Sequence, residues 1–441
     1  MKTAILGAGI SGLALARFLI DGGLTAQDIT IFESAPKAGG LCHSETVDGF
    51  TYDISGGHIL FSKDKPALEW MIQQGGGPEA FVKRDRNTKI RFEDRWVHYP
   101  FENGLGDLPE QANFDCLQGY VNAWHTRTMD GSEAPKDFKS WILWRFGAGI
   151  AKHFMDPYNE KIWKRELDQI SSGWVAGRVP DAPVDDVLKA SIGLRTEGYK
   201  HQAMFYYPKQ GGFQGITDAI AARLTEQVKL NTPVTQIVKQ GESWTINGEA
   251  FDCVVSTIPL TYMPDLVEGM PENVAGAMKA LEYNSMVTFL LALDREKHPD
   301  LSWIYLPQKA QGPTNRVTYM SNYSEGNAPA GKSSFLCEVT VPGGGPFPGA
   351  ELEDEVVDGM LHAGLMTRDE LMFTHRSQVK HAYVVFDHGF EEKRATSLAW
   401  LRGAGIEPLG RFGRFDYDNS DQCVIKAREL AAELLERAKL G

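Results

Sequence analysis

Apolar and polar positions divide the chain into stretches of different period. The first thirty-three residues read strand, turn, helix, strand. An apolar run, Thr3-Ala4-Ile5-Leu6, leads into Gly7-Ala8-Gly9-Ile10-Ser11-Gly12 and a helix carrying Leu13, Leu15, Ala16 and Leu19. Ile29-Thr30-Ile31-Phe32 then ends in Glu33. Residues 66–103 mix a short helix with strand-like pieces, Lys89–Phe92 and Trp96–Tyr99. From about 104 to 200 the spacing turns helical, with Leu117, Tyr120, Val121 and Trp124 expected on one face and Trp141, Leu143, Trp144 and Phe146 in a later segment. Gly211-Gly212 opens an amphipathic helix with Ile216, Ile220, Ala221 and Leu224. Strands are expected at Val228–Leu230, Thr235–Val238 and Trp244–Ile246. The run Phe251–Ile258, stopped by Pro259, reads as one buried strand returning to the first sheet. Residues 283–390 are mostly strand-like (Val287–Leu293, Trp303–Leu306, Phe335–Val341, His381–Phe386) and predict a separate sheet. A last helix from about Asp421 carries Val424, Ala427, Ala431, Leu434 and Leu435.

At 441 residues the chain exceeds one ordinary core, so two or three domains are expected. Apolar residues make up 42% and charged residues 23%, an ordinary globular balance. No apolar run approaches the roughly 20 residues that span a bilayer, and the chain enters its first strand by residue 3, which predicts no cleavable signal. The five cysteines are scattered, with no C-x-x-C, which predicts reduced thiols, a cytoplasmic address and no metal. A net charge of −13 argues against nucleic acid or an anionic membrane as partner. An anionic substrate must then be held by local cations.

The opening segment has the parts of a dinucleotide site in order. Gly7 allows a tight turn, Gly9 lets backbone approach a pyrophosphate, and Gly12 lets helix and strand pack closely. The helix N-terminus offers N–H groups to the phosphate, and Glu33, 21 residues beyond Gly12, suits ribose hydroxyls. Two further glycine pairs follow, Gly39-Gly40-Leu41 and Gly56-Gly57-His58, where a nicotinamide domain continues into a helix. This pattern resembles the flavin-containing amine oxidase superfamily, which implies FAD, with the first pair near its phosphates and the second beside its ring. Ser420 or Asp421 is expected to cap the closing helix, whose N-terminus suits the pyrimidine end of a reduced flavin. Arg411 is expected on the FAD diphosphate. No Ser/His/Asp or Cys/His set and no phosphate-cradling lysine loop is present, as expected where a cofactor carries the chemistry.

Longer motifs narrow the resemblance. They are Gly56–Ser62, Trp96–Phe101, Pro157–Trp163, Gly173–Val179, Pro208–Gly212, Trp303–Tyr305, Arg316–Ser324 and Gly410–Tyr417. Together they resemble the UDP-galactopyranose mutase family, in its eukaryotic-type branch, over essentially the whole chain. That resemblance implies an isomerase that interconverts the pyranose and furanose forms of a nucleotide sugar for cell-surface glycan biosynthesis. The same resemblance implies that reduced FAD, kept reduced by an external reductant, would attack the anomeric carbon through N5, displace the nucleoside diphosphate and hold the sugar while its ring opens and recloses. It implies an α/β fold with a Rossmann-like FAD-binding domain (1–65, 206–260, 395–441), an inserted helical substrate domain (104–205) and a smaller antiparallel sheet (66–103, 261–394). The implied catalytic residues are Arg178 and Arg316 on the departing diphosphate, with His58 at the flavin. Arg178 follows a glycine in a segment that reads as a closing loop. Tyr99, Glu102, Asn159, Trp163, Tyr305, Asn322, Tyr323 and Tyr417 are implied to bind substrate. Gly7, Gly9, Ser11, Gly12, Glu33, Gly39, Gly40, Leu41, Gly56, Gly57, His58, Arg411, Asp421 and Gln422 are implied to bind the flavin. A monomer and a homo-oligomer are both compatible with the sequence.

Three positions depart from the branch pattern. Lys63 replaces a histidine, Gln202 an asparagine, and Glu102 the glutamine at the uracil. An ionised glutamate only accepts hydrogen bonds. It suits uracil N3–H, or the N1–H and 2-amino edge of guanine at least as well, so base, sugar or both are expected to differ from UDP-galactose. The alternative reading is an FAD-dependent oxidoreductase of the amine oxidase or desaturase type, which shares the cofactor residues but wants an apolar or aromatic pocket.

Overall fold

A five-stranded parallel sheet gathers segments from the beginning, middle and end of the chain. Its spatial order is Ile406–Pro408, Cys253–Ser256, Thr3–Leu6, Ile29–Phe32, Val228–Lys229. The computed structural model describes residues 1–176, 178–179, 183–194, 196, 203–296 and 299–440; Gly177 and Gln202, noted above, lie outside them. All four residues of the central strand are buried because both sheet faces are covered. Ile5 points into a core with Leu13, Leu19, Val424 and Leu434, supplied by the helices Ile10–Asp21 and Ser420–Leu440. Ala4 and Leu6 point the other way, toward Ile246, Phe251 and Val254.

The single strand expected over Phe251–Ile258 is two. Glu249–Phe251 pairs with Ser243–Ile246 in a three-stranded antiparallel sheet, and Cys253–Ser256 enters the parallel one. Asp252 makes the break: its carboxylate accepts from the Lys2 N–H (2.7 Å), which turns the chain into the new register.

A seven-stranded sheet runs Leu371–Val384, Tyr283–Leu293, Ser333–Pro342, Arg316–Tyr319, Trp303–Tyr305, Thr88–Phe92, Arg95–His98. It is antiparallel except where Trp303–Tyr305 meets Thr88–Phe92. The strand expected at His381–Phe386 begins ten residues earlier, at Leu371. Its earlier part carries the polar Thr374, Arg376, Gln378 and Lys380, so the apolar run alone underestimates its length.

The helical stretch comprises Glu110–Asp130, Phe138–Ile150, Asp156–Trp163 and Val184–Ser191. The buried stripe of Glu110–Asp130 is Ala112, Cys116 and Tyr120 rather than one containing Leu117 and Val121. Small residues decide it. A Cβ on Gly149 would lie 2.0 Å from the Asp115 carbonyl oxygen and one on Gly147 2.0 Å from that of Gly119, so the two helices touch backbone to backbone. Leu143 is correspondingly exposed. A hairpin that periodicity did not predict, Ser44–Val47 with Phe50–Asp53, turns through Asp48-Gly49, both at positive φ (49° and 84°). It delivers the buried Asp53 to the site.

Candidate active site

One cavity of about 1290 Å³ opens at the C-terminal ends of the parallel strands and draws its lining from every part of the fold. At one end the glycine loop forms a cradle. Gly7 takes φ +106°, and a Cβ there would meet the Thr257 hydroxyl at 2.3 Å. Gly12 serves packing and does not line the cavity: its Cβ would stand 2.1 Å from the Gly7 carbonyl oxygen. Gly9 and Gly40 approach each other so closely that a Cβ on Gly40 would lie 3.1 Å from the Gly9 Cα. The helix Ile10–Asp21 begins with no side-chain cap, leaving its first N–H groups toward the cavity, where Ile10 and Ser11 are exposed to it. Glu33 accepts from the Ala8 N–H (2.8 Å) and Ala35 N–H (2.9 Å), which pins its carboxylate beside the loop. Gly39 and Leu41 complete this wall. An uncapped helix, a cradle that admits no Cβ and a fixed acid fit a dinucleotide.

A second turn, Gly56-Gly57-His58, is clamped between two buried carboxylates. Asp53 Oδ1 accepts from Ser44 Oγ (2.7 Å), Tyr207 Oη (2.9 Å) and the Phe213 N–H (3.0 Å), while Oδ2 accepts from the His58 N–H (3.1 Å). Glu338, 0% exposed, accepts on Oε1 from the Gly57 N–H (3.1 Å) and from Arg316 Nε (2.7 Å). Its Oε2 lies buried without a partner, and a Cβ on Gly56 would sit 2.9 Å from it. Burial drives the Glu338 pKa up against the pull of Arg316. Burial pulls the Arg316 pKa down, but the Glu338 carboxylate outweighs it and holds the pKa well above its ordinary value. His58 stacks on Phe213 (5.0 Å), and burial lowers its pKa, outweighing Asp53, so the ring is neutral at pH 7.

The cations expected at a diphosphate both line the cavity. Arg316 donates Nη2 to the Gly57 carbonyl (3.3 Å), and no described residue takes Nη1. Arg178 lies on an exposed segment, donating to the carbonyls of Trp174 (3.2 Å) and Tyr417 (3.0 Å) with its guanidinium over the Tyr417 ring. Arg411 covers the same ring at 4.5 Å and donates to the carbonyls of Asp418 and Ala382, leaving Nε buried and unpartnered. Tyr99, Tyr305 and Tyr323 line the cavity, with Tyr99 against Tyr305 (5.3 Å). Asn159 and Trp163 share one helix face and pair with each other: Trp163 Nε1 donates to Asn159 Oδ1 (3.2 Å), while Asn159 Nδ2 donates to the Met155 carbonyl (2.7 Å). Glu102 is buried with an unpartnered Oε1.

Two expected residues stand elsewhere. Asn322 does not line the cavity, because its amide donates to the carbonyls of Pro299 (2.9 Å) and Leu301 (2.8 Å) on the outer side of its short helix. Asp421 turns to Ser62 Oγ (2.7 Å) and is absent from the lining, whereas Gln422 lines it. The closing helix starts at Ser420, so neither Ser420 nor Asp421 caps it: Asn419 holds the N-cap position, with its N–H donating to Gln422 Oε1 (3.0 Å) and its carbonyl accepting from the Cys423 N–H (3.0 Å). Lys63 does not line the cavity.

Residues not singled out from sequence include Asp53, Glu338 and Arg86. Arg86 lines the cavity with its guanidinium 4.8 Å from the Tyr99 ring and 4.7 Å from the Trp303 ring. A lone acid inside the apolar strand Ser333–Pro342 is the signal that marks Glu338.

The sequence profile of flavin containing amine oxidoreductases matches residues 10–361. Amine oxidase [flavin-containing] A of Bos taurus is 24% identical over 293 residues, 58% of this chain and 49% of the relative. The chain thus spans about half the length of that curated relative. The crystal structure of a reduced UDP-galactopyranose mutase superposes with a TM-score of 0.89 at 27% identity, covering 99% of this chain and 95% of that one. Putrescine oxidase bound to putrescine superposes with a TM-score of 0.66 at 16% identity, covering 99% of each chain, a likeness of fold alone.

Proposed function

The chain belongs to the flavin containing amine oxidoreductase family and takes FAD as cofactor, and we propose that it interconverts the pyranose and furanose forms of a nucleotide sugar. The presence of Arg178 and Arg316 in the cavity that holds the dinucleotide cradle carries this reading. Planar guanidinium groups suit phosphate oxygens, and an amine or hydrocarbon substrate has no use for them. The 27% identity with the reduced UDP-galactopyranose mutase over nearly the whole chain supports the same reading.

Gly7, Gly9, Ser11 and the open helix end take the pyrophosphate of FAD in this reading, together with Arg411, Glu33 takes its ribose, Gly39-Gly40-Leu41 its phosphates, and Gly56-Gly57 and Gln422 its ring end. When bound in reduced form, FAD supplies the nucleophilic nitrogen for the anomeric carbon. The protein supplies binding, orientation and charge. Arg316, braced by Glu338, directs Nη1 at the departing diphosphate and stabilises the charge that grows there. Arg178 exchanges a carbonyl for a phosphate oxygen and draws its exposed segment over the cavity, excluding water. Tyr305, Tyr323 and Tyr417 donate hydroxyl protons to the same phosphates, and Tyr99, Asn159 and Trp163 wall the rest of the substrate. His58, held neutral, keeps a ring nitrogen for the cofactor without adding charge. Residues 1–65, 206–260 and 395–441 carry the flavin in this reading, and 104–205 most of the substrate wall.

The sequence relatives favour a second reading, an oxidase. Incubation with nucleotide sugar, with and without dithionite, separates the two. Ring interconversion only after reduction supports the mutase. Substrate-driven bleaching of the flavin supports the oxidase, and absence of conversion in both samples refutes the mutase reading.

A further inference from the structure

Four carboxylates line the cavity among the described residues. Three are satisfied: Glu33 by the Ala8 and Ala35 N–H groups, Asp265 by Lys279 (2.7 Å) and Asp418 by Lys426 (2.7 Å). The fourth is Glu102, only 5% exposed, with Oε1 buried and without a partner. Among the described residues its own backbone N–H bonds to the carboxyl, and Arg145 acts on it electrostatically. Beside it in the chain, the fully buried Phe101 stacks on Phe154 at 4.8 Å and 8°, and Phe154 on Tyr158 at 5.2 Å and 9°, and all three residues are among those that line the cavity.

Flat aromatic side chains beside a carboxylate with one oxygen unpartnered favour a flat ring that brings donors on its edge. Resting on the nucleotide-sugar reading above, we infer that Glu102 reads the base of the nucleotide and that the base is guanine, with N1–H and the 2-amino group each donating to one carboxylate oxygen. An ionised carboxylate accepts and cannot donate. Uracil and thymine present one N–H between two carbonyl oxygens, so the second carboxylate oxygen would face another acceptor. Adenine and cytosine place their amino group next to an acceptor nitrogen. Guanine alone sets two donors side by side, the arrangement by which a guanidinium holds a carboxylate. Burial raises the Glu102 pKa to about 7, and donors supplied by a ligand would favour the charged form.

The test titrates GDP, IDP and UDP into the reduced, FAD-loaded enzyme and its Glu102→Gln variant by calorimetry. IDP keeps N1–H and lacks the 2-amino group. Expected is GDP binding at least about tenfold tighter than IDP and UDP, with that preference lost in Glu102→Gln, whose amide would set a donor against a donor. Equal affinity for GDP and IDP, or tighter binding of UDP, overturns the guanine inference and leaves the mutase reading intact. A GDP preference that survives Glu102→Gln overturns the role given to Glu102. Failure of all three diphosphates to bind wild type overturns both readings. The GDP–IDP comparison needs no variant, so a misfolded Glu102→Gln leaves the inference testable.

Discussion

Arg316→Ala should be far more damaging than loss of one substrate contact, because it strands a buried charge. Glu338 is fully buried and receives two donors, the Gly57 N–H at 3.1 Å and Arg316 Nε at 2.7 Å. Removing the guanidinium leaves one neutral donor on an ion in low dielectric. Breaking one side of such a pair costs about 3–5 kcal/mol. Removing both charges leaves no stranded ion, so the double variant Arg316→Ala/Glu338→Gln should recover all but about 1–2 kcal/mol. The remaining carboxyl in Arg316→Ala also sets a pH dependence. Burial raises its folded pKa above the ordinary 4.5, so the folded state binds more protons than the unfolded one. Stability is therefore present at low pH and lost as pH rises through that folded value. The assay is urea denaturation of the four flavin-loaded proteins of the cycle at pH 5.5 and 8, followed by tryptophan and by flavin fluorescence. The reasoning fails if the double variant is no more stable than Arg316→Ala, or if Arg316→Ala gains stability on going from pH 5.5 to 8.

Arg178 is exposed and, among the described residues, holds two carbonyls and the face of Tyr417, so Arg178→Ala should leave the unfolding midpoint nearly unchanged while lowering ring interconversion at least about tenfold, roughly 1.4 kcal/mol of barrier; a near-normal rate removes it from the mechanism. Gly57→Ala would put a Cβ 2.5 Å from Thr318 Oγ1, so the purified protein should carry less flavin by absorbance, with partial recovery in Gly57→Ala/Thr318→Ala; a full complement of FAD in the single variant contradicts the clamped turn. Glu102→Gln should stabilise the enzyme in the absence of nucleotide. Because the Glu102 pKa rises from 4.5 to about 7 on folding, wild type loses stability as pH climbs between those values, up to about 3 kcal/mol above pH 7. The variant should therefore unfold at higher urea at pH 8 and at nearly the same urea at pH 4.5; a constant difference across that range points away from burial of this carboxyl.

The opening strand, glycine loop, helix and Glu33 were legible because each follows from local rules. Gly7 needs a positive φ that other residues resist, and Gly12 stands where a Cβ would strike the Gly7 carbonyl. The order of apolar segments was likewise enough to expect a parallel sheet fed from three parts of the chain. Errors arose where a local pattern was overridden. Small residues rather than large ones set the buried stripe of Glu110–Asp130, and Asp252 divided an apolar run by binding the first residues of the chain. Asn322 sits inside a motif shared with a substrate site yet spends its amide on a neighbouring loop.

The sequence by itself determined the cofactor class, the glycine cradle and the presence of arginines suited to a polyanion, because backbone reach and charge are properties of single residues and short spacings. Only tertiary structure decided what those residues face. Glu338 reaches Gly57 across 281 positions, Asp53 gathers Ser44, Tyr207 and Phe213 around His58, and Glu102 comes to lie buried with one carboxylate oxygen unpartnered. Such pairings depend on which strand edges meet and in what register, and that is fixed by packing the whole chain at once rather than by any period along it.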